Sequence, residues 1–294
     1  MKVAVIGAGL WGQALARLVE AAGNEVLLAA LGAKPRRKIP CTKDLRKAAS
    51  FAELVLMATT PAQLTPALEG LRLGPEHRVV VCTRGLHQDQ DHWSTTRVCE
   101  HTPAIRAGVL AGPAYSTEVL AGKPCAVVVA SRHRALCLLT QQALHSSRCR
   151  VYTSDDPHGI ELAAVMARVL AVAVGLSDRM DMGPGGRGLV VSRGLAETLR
   201  LGEAMGVGGE GLIGLAGIGD LVATISDPEH PALLAGLMED SEPIQAAIAA
   251  LAIGRKLGVD LPLTQAVVAV ASHQIEPAEA LHALMQRELK EGER

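Results

Sequence analysis

Aromatic side chains are almost missing from this 294-residue chain, which has one Phe, two Tyr and two Trp. A core without large rings must be assembled from Ala, Val and Leu, with helices in close approach, and a hydrophobic content of 49% is ample for that. Net charge is nearly missing too, at −1. That removes the global electrostatic case for a nucleic acid or an anionic membrane as partner. The six cysteines (Cys41, Cys82, Cys99, Cys125, Cys137 and Cys149) include no C-x-x-C pair. They read as reduced structural residues of a cytoplasmic protein. His87, His92 and His101 show no ligand spacing with a nearby Cys or acid, so no metal site is expected. The first residues lack a signal-peptide pattern, because their apolar run is short and ends in a glycine turn. The longest apolar stretch, residues 162–176, carries Arg168 and is shorter than a bilayer requires, so it reads as a buried core helix. Neither an internal repeat nor a low-complexity tail is visible.

What is present begins at once. An apolar strand, Lys2-Val3-Ala4-Val5-Ile6, runs into Gly7-Ala8-Gly9-Leu10-Trp11-Gly12 and then into a helix with Leu15, Leu18 and Val19 on one face. Three glycines at G-x-G-x-x-G spacing mean little alone; between a strand and a helix they predict a dinucleotide site. Gly7 permits the tight turn, Gly9 lets the backbone approach a pyrophosphate, and Gly12 lets helix and strand pack closely. The helix N-terminus offers free N–H groups to the phosphates.

The first half alternates strand and helix. Strands are expected at 25–30, 53–58, 78–83, 107–111, 125–130 and 149–153, and helices at 44–51, 61–71 and 133–145. That order implies a parallel, doubly wound Rossmann-type sheet covered on both faces. After Ser154 the pattern turns helical, at 162–176, 189–205, 243–257, 264–273 and 278–291, with glycine-rich loops expected at 183–188 and 206–219. The chain therefore divides into a dinucleotide-binding unit, 1–154, and an all-α unit, 155–294, which share a cleft. The long Ala- and Leu-rich helices are core or a homodimer surface. The second strand ends without the acid that often holds a ribose 2′-hydroxyl, and Lys34, Arg36, Arg37 and Lys38 follow. This reads as a grip on the 2′-phosphate of NADP(H), preferred over NAD(H), or else as a solvated basic loop.

Beyond the glycines, ordered motifs accumulate: Thr83-Arg84-Gly85-Leu86, Gly112-Pro113-Ala114-Tyr115, Gly159-Ile160-Glu161-Leu162, Arg193-Gly194-Leu195-Ala196-Glu197, Gly214-Leu215-Ala216-Gly217-Ile218-Gly219-Asp220-Leu221 and Gly258-Val259-Asp260-Leu261-Pro262. Together they resemble the bacterial NAD(P)-dependent glycerol-3-phosphate dehydrogenase family, nearly end to end. The resemblance implies a Rossmann unit followed by a helical one, and hydride exchange between glycerol 3-phosphate and dihydroxyacetone phosphate in the cleft between them. It implies cofactor contacts at Gly7, Gly9, Leu10, Trp11, Gly12, Ser116 and Glu242, joined by Arg36 and Arg37 from the basic loop. Substrate contacts fall at Arg84, Gly112, Ala114 and Asp220, and catalytic roles at Arg84, Arg168, Asp220 and Thr224.

The chain departs from the family where chemistry matters most. The family places a lysine–asparagine pair a few residues after G-x-E-L, the lysine being the proton donor and acceptor; here Ala167 and Arg168 stand there. Alanine has no proton to give, and arginine stays protonated, able to polarise a carbonyl but not to act as a base. A second family lysine is replaced by Arg84. The serine–arginine–asparagine segment that grips the phosphate is shortened to Ile225-Ser226-Asp227-Pro228-Glu229-His230-Pro231, and no arginine occurs between Arg200 and Arg255. The usual N-T-R-A stretch reads Gly185-Gly186-Arg187-Gly188. Three functions stay open: an oxidoreductase on a different small substrate, a non-catalytic NADP(H)-binding pseudoenzyme or regulatory protein, and the family activity at a low rate. Arg168 either faces the cleft or pairs with Asp220 or Glu161. Asp220 either meets substrate or caps a helix after Gly219. His158 and His230 are either replacement acid–base groups or ordinary helix-entry and loop histidines. Trp11 either flanks the pyrophosphate or packs the first helix against its loop.

Overall fold

The computed structural model describes residues 1–32, 39–87, 93–227 and 240–287. Eight strands form one sheet: β1 Lys2–Ile6, β2 Glu25–Ala29, β3 Cys41–Thr42, β4 Leu54–Met57, β5 Arg78–Val81, β6 Arg106–Ala111, β7 Cys125–Ala130 and β8 Cys149–Ser154. Their order is β3-β2-β1-β4-β5-β6-β7-β8. Buried on both faces, β1 and β4 are the continuous apolar runs a doubly covered sheet demands. Chain order reverses between β1 and β4, the switch point where such sheets open a crevice at their carboxyl ends.

The sheet is not wholly parallel as expected: β6 and β7 pair antiparallel. The helix joining them, α5, is Ser116–Leu120. Five residues rise only about 7 Å, too little to return the chain to the far end of the sheet, so β7 starts beside the end of β6. The other helices of this half are α1 Leu10–Ala21, α2 Leu45–Phe51, α3 Pro61–Leu71, α4 Ser94–His101 and α6 Arg134–Leu144. Local chemistry starts two of them. Asp44 accepts from Arg46 N at 2.9 Å and Lys47 N at 3.2 Å, and Thr60 with Gln63 forms a capping box ahead of Pro61.

Two further expectations are corrected. The segment expected to loop at 183–188 is the opening of α8, Gly183–Ala204. Its glycines cost helix propensity, which packing offsets: Arg187 pairs with Asp178 on the preceding helix, α7 (Pro157–Arg179), and a Cβ at Gly194 would sit 2.1 Å from Leu170. The expected loop 206–219 contains α9, Glu210–Ile213, and a π-turn, Leu215–Gly219, leading into α10, Asp220–Ile225. The helices Glu242–Leu257, Pro262–Ala271 and Pro277–Met285 complete the described chain.

Helix α7, Pro157–Arg179, is the hub of the second half. At 23 residues it is longer than the apolar stretch read from sequence. By length and composition it could cross a membrane, yet 89% of its apolar window is buried, which makes it a core helix. It starts at Pro157, capped by Asp156, which accepts from Gly159 N at 2.9 Å and from Gly208 N at 3.0 Å. Ile160, Ala163 and Ala164 pack on Val109, Ala111, Val128 and Ala130 of the sheet. Small side chains at that seam let the two halves touch without a linker.

Buried carboxylates serve as remote caps. Glu161 of α7 accepts from Ser94 N (2.8 Å), Thr95 N (3.3 Å) and Thr95 Oγ1 (2.5 Å), satisfying the start of α4. Glu197 does the same for Leu263 N and Thr264 N. Burial pushes the Glu161 carboxyl up to about 7, against the pull of its Thr95 and Ser94 donors. A carboxyl raised in the folded state contributes stability that is complete below its ordinary value of 4.5 and is lost as pH rises toward about 7. That loss is roughly 3 kcal/mol. Urea unfolding across this window is expected to show stability falling with pH and Glu161→Gln flattening the slope. A slope unchanged by the substitution would count against this side chain as its source.

Candidate functional site

A cleft of about 510 Å³ opens at the carboxyl ends of β1, β4, β5 and β6. Its walls are Gly7 to Trp11, Ala58 to Thr60, Cys82 to Arg84 and Leu110 to Ser116 from the sheet, with Arg168 of α7 and Glu242 opposite. Each strand delivers its loop to one edge because β1 to β6 all run the same way.

The glycine turn divides into structural and ligand-facing positions. Gly7 has φ +112°, and a Cβ there would lie 2.2 Å from Ala58 O. A Cβ on Gly12 would lie 1.8 Å from Gly7 O. The protein itself forbids side chains at both. Gly9 is different: a Cβ there meets nothing within 4 Å and projects into open cleft. Gly9 is also the N-cap of α1 and supplies no side-chain cap, so the first-turn N–H groups face the cleft without a side-chain acceptor. An open cradle over an uncapped helix N-terminus fits a diphosphate. Trp11 does not choose between its two expected roles. Its Nε1 donates to Cys82 O at 3.1 Å, it packs against the core, and it lines the cleft.

Beyond the cradle lies a charged cluster. Arg84 Nη2 stands 2.9 Å from Asp220 Oδ2 and also donates to Gly112 O at 3.4 Å. Asp220 has no solvent exposure, and among the described residues neither of its carboxylate oxygens has a partner at hydrogen-bonding angles. Distance alone makes Arg84–Asp220 an ion pair, one contact behind the cleft wall. Burial raises the Asp220 carboxyl above its ordinary range, while Arg84 and then Arg168 pull it down. Thr224, 4% exposed, is the junction of the far wall. Its Oγ1 accepts from Tyr115 Oη at 2.8 Å and from Arg168 Nη1 at 3.1 Å, and donates to Asp220 O at 2.7 Å. Ala167 is buried at 3%.

The structure thus brings together Gly7, Gly9, Leu10, Trp11, Arg84, Gly112, Ala114, Ser116, Arg168 and Glu242 around one space, with Asp220 and Thr224 one contact behind. Gly12 sits beneath, against Gly7. Of the alternatives for Arg168, the Glu161 pair is replaced by the Thr224 bond and the field of Asp220. Asp220 is no side-chain cap. His158 stacks on Trp93, ring centroids 4.6 Å apart, away from the cleft lining. Arg36, Arg37, Lys34, Lys38, His92, Glu229 and His230 lie outside the described residues. Tyr115 was the residue that sequence reasoning passed over: it was legible as part of a motif, but its reach to Thr224, 109 positions on, was not.

Known proteins resemble the chain along nearly its whole length. Family models described as NAD-dependent glycerol-3-phosphate dehydrogenase N-terminus and C-terminus match residues 31–137 and 156–282. The chain is 34% identical to the glycerol-3-phosphate dehydrogenase [NAD(P)+] of Methylibium petroleiphilum, over 99% of this chain and 98% of that protein. It is 32% identical to the enzyme of the same name from Parvibaculum lavamentivorans, over 97% and 96%. The crystal structure of glycerol-3-phosphate dehydrogenase from Coxiella burnetii superposes with a TM-score of 0.87 at 26% identity, covering 97% of this chain and 99% of that one.

The cradle makes a separable prediction. Gly9→Val is expected to leave thermal stability nearly unchanged while weakening nicotinamide dinucleotide binding at least tenfold. Gly12→Ala is expected to lose on the order of 2–3 kcal/mol of stability, as overpacking does. Melting curves beside fluorescence titration separate the two. Unimpaired binding by Gly9→Val would remove the cradle from the site.

Proposed function

Because the chain belongs to the NAD-dependent glycerol-3-phosphate dehydrogenase family, we propose that it exchanges a hydride between NADP(H) and a small hydroxy or oxo compound in this cleft, with NAD(H) as the weaker cofactor. Residues 1–154 hold the dinucleotide and residues 155–294 close the substrate side. The observation that carries this reading is that Arg84 and Arg168 line the same space as the glycine cradle, with Asp220 paired to Arg84 behind them. A bound nicotinamide supplies or accepts the hydride; the residues do the rest. Gly7 and Gly9 bring backbone up to the diphosphate, and Trp11 and Ser116 flank it. Arg84, fixed by Asp220, and Arg168, fixed by Thr224, present two permanent cations where a carbonyl oxygen gathers charge. Gly112 and Ala114 shape the wall beside Arg84.

The substrate differs, in this proposal, from the one named for the relatives. Ala167 supplies no proton at the position where the family resemblance places a lysine. The Ile225 to Pro231 segment offers Asp227 and Glu229 in place of a cationic phosphate clamp. An acidic loop repels a phosphate dianion. General acid–base catalysis contributes about 10²–10⁴-fold, and its loss from position 167 sets the scale of the test.

NADPH is expected to bind more tightly than NADH, measured by fluorescence titration; equal or reversed affinities would remove the role given to Arg36 and Arg37. Reduction of dihydroxyacetone phosphate by the unaltered chain with NADPH is expected to be slow, and faster in an Ala167→Lys, Arg168→Asn double variant. Rapid turnover by the unaltered chain would refute the change of substrate.

A further inference from the structure

We propose that the Tyr115 phenol is the proton carrier of this site. The inference rests on the function proposed above and names the group that the site needs. Tyr115 lines the cleft on the loop after β6 and reaches across to α10, where its hydroxyl donates to Thr224 Oγ1 at 2.8 Å. Thr224 is saturated: two donors enter its oxygen, and its own proton goes to Asp220 O. It holds the phenol in place and has no proton to pass on, so the phenol O–H turns from Thr224 Oγ1 to the oxygen of a bound substrate before its proton is transferred, while Arg168 still bonds Thr224. The Arg168 guanidinium is bonded to the same oxygen, so the phenol oxygen and a permanent cation lie within about 6 Å of each other. When the phenol gives up its proton, the anion left behind faces that cation.

Among the guanidinium, thiol and hydroxyl groups of the cleft, the others are less suited. Arg84 and Arg168 do not deprotonate in this range. Thr83 Oγ1 donates to Thr59 O at 2.7 Å. Burial raises the Cys82 thiol well above its ordinary range, which holds its proton. Thr59, Thr60 and Ser116 carry aliphatic hydroxyls, and a phenol is a far stronger acid than an alcohol. Asp220 stands behind Arg84 and is paired with it.

The step balances. In reduction, the two electrons come as hydride from a dihydronicotinamide and form the new C–H bond at the carbonyl carbon. The C=O π pair moves onto oxygen, and that oxygen forms an O–H bond with the proton leaving Tyr115 Oη. Solvent at the cleft mouth reprotonates the phenolate. In oxidation the phenolate takes the alcohol proton as hydride departs. Polarising the carbonyl and moving the proton are then done by different residues.

Tyr115→Phe keeps the ring and removes only the hydroxyl. With dihydroxyacetone, which carries no phosphate, as the probe, single-turnover hydride transfer from NADPH is expected to slow about 10²–10⁴-fold, with ketone and NADPH affinity within about threefold of the parent. A readout independent of turnover is the infrared carbonyl stretch of carbon-13-labelled ketone bound beside oxidised cofactor. It is expected to shift toward the free-ketone frequency in the variant, because one donor to the oxygen is gone. Thr224→Val, which removes the hydroxyl that places both Tyr115 and Arg168, is expected to shift it the same way. A variant with unimpaired hydride transfer, or with an unshifted carbonyl band, overturns this inference alone. A parent chain that binds NADPH yet reduces no ketone overturns the proposed function, and this inference with it.

Discussion

A carboxylate without solvent contact has to be met by a cation, and Asp220 on α10 is met by Arg84 from the loop after β5. The two residues belong to opposite halves of the chain, so the pair ties α10 to the loop after β5. Breaking a buried pair by removing one partner costs about 3–5 kcal/mol, because the other charge stays buried. Arg84 therefore cannot swing away, and the sheet edge and α10 are held at ion-pair distance. The π-turn Leu215–Gly219 delivers Asp220 to that spot. A Cβ on Gly217 would lie 2.0 Å from Leu212 O, so the turn needs its glycine as much as the ion pair needs its acid.

Around this pair the other contacts between halves fall into two kinds. Glu161 at the start of α4, and the small side chains of α7 on β6 and β7, are structural and saturated. Asp220, with acceptor capacity unspent, and the hydroxyl junction at Thr224 are not closed in the same way. Buried polar groups are normally satisfied. The Asp220 carboxylate oxygens, without a partner at hydrogen-bonding angles among the described residues, lie directly behind the cleft wall at Arg84.

Much of this was readable from residues alone, for physical reasons that vary by element. The strand–glycine–helix start is dictated by sterics at Gly7 and Gly12, so its spacing carries the fold. Helix α3 was legible to its ends because Thr60, Pro61 and Gln63 are local start signals. The short elements β3, α4 and α5 carry too few residues for a period to show. Helix α4 begins with a cap supplied by Glu161, 66 positions away, which no local pattern contains. Glycines misled at 183–188, where helix packing outweighs propensity. The antiparallel β7 followed from the brevity of α5. At the site, Arg84, Arg168, Asp220 and Thr224 could be singled out by motif, but whether Arg168 met Glu161 or Asp220 was a question of where α10 lands. Tyr115 needed the same knowledge.

The two arginines explain why a separate proton carrier is required at all. A lysine at the reacting oxygen both supplies positive charge and exchanges a proton, since its ammonium can titrate when buried. A guanidinium supplies the charge and keeps its protons. In the proposed reading, Ala167 beside Arg168 splits one residue's work in two: the charge persists and the proton comes from elsewhere. The geometry constrains where. The carrier must reach the space in front of Arg84 and Arg168, must not be locked into the Asp220 pair, and must leave behind an anion that a fixed cation can face. Tyr115 enters from the sheet side, is anchored on the hydroxyl that anchors Arg168, and meets all three conditions. On that proposal the cation at 168 and the phenol at 115 form one coupled arrangement, joined through the single oxygen of Thr224.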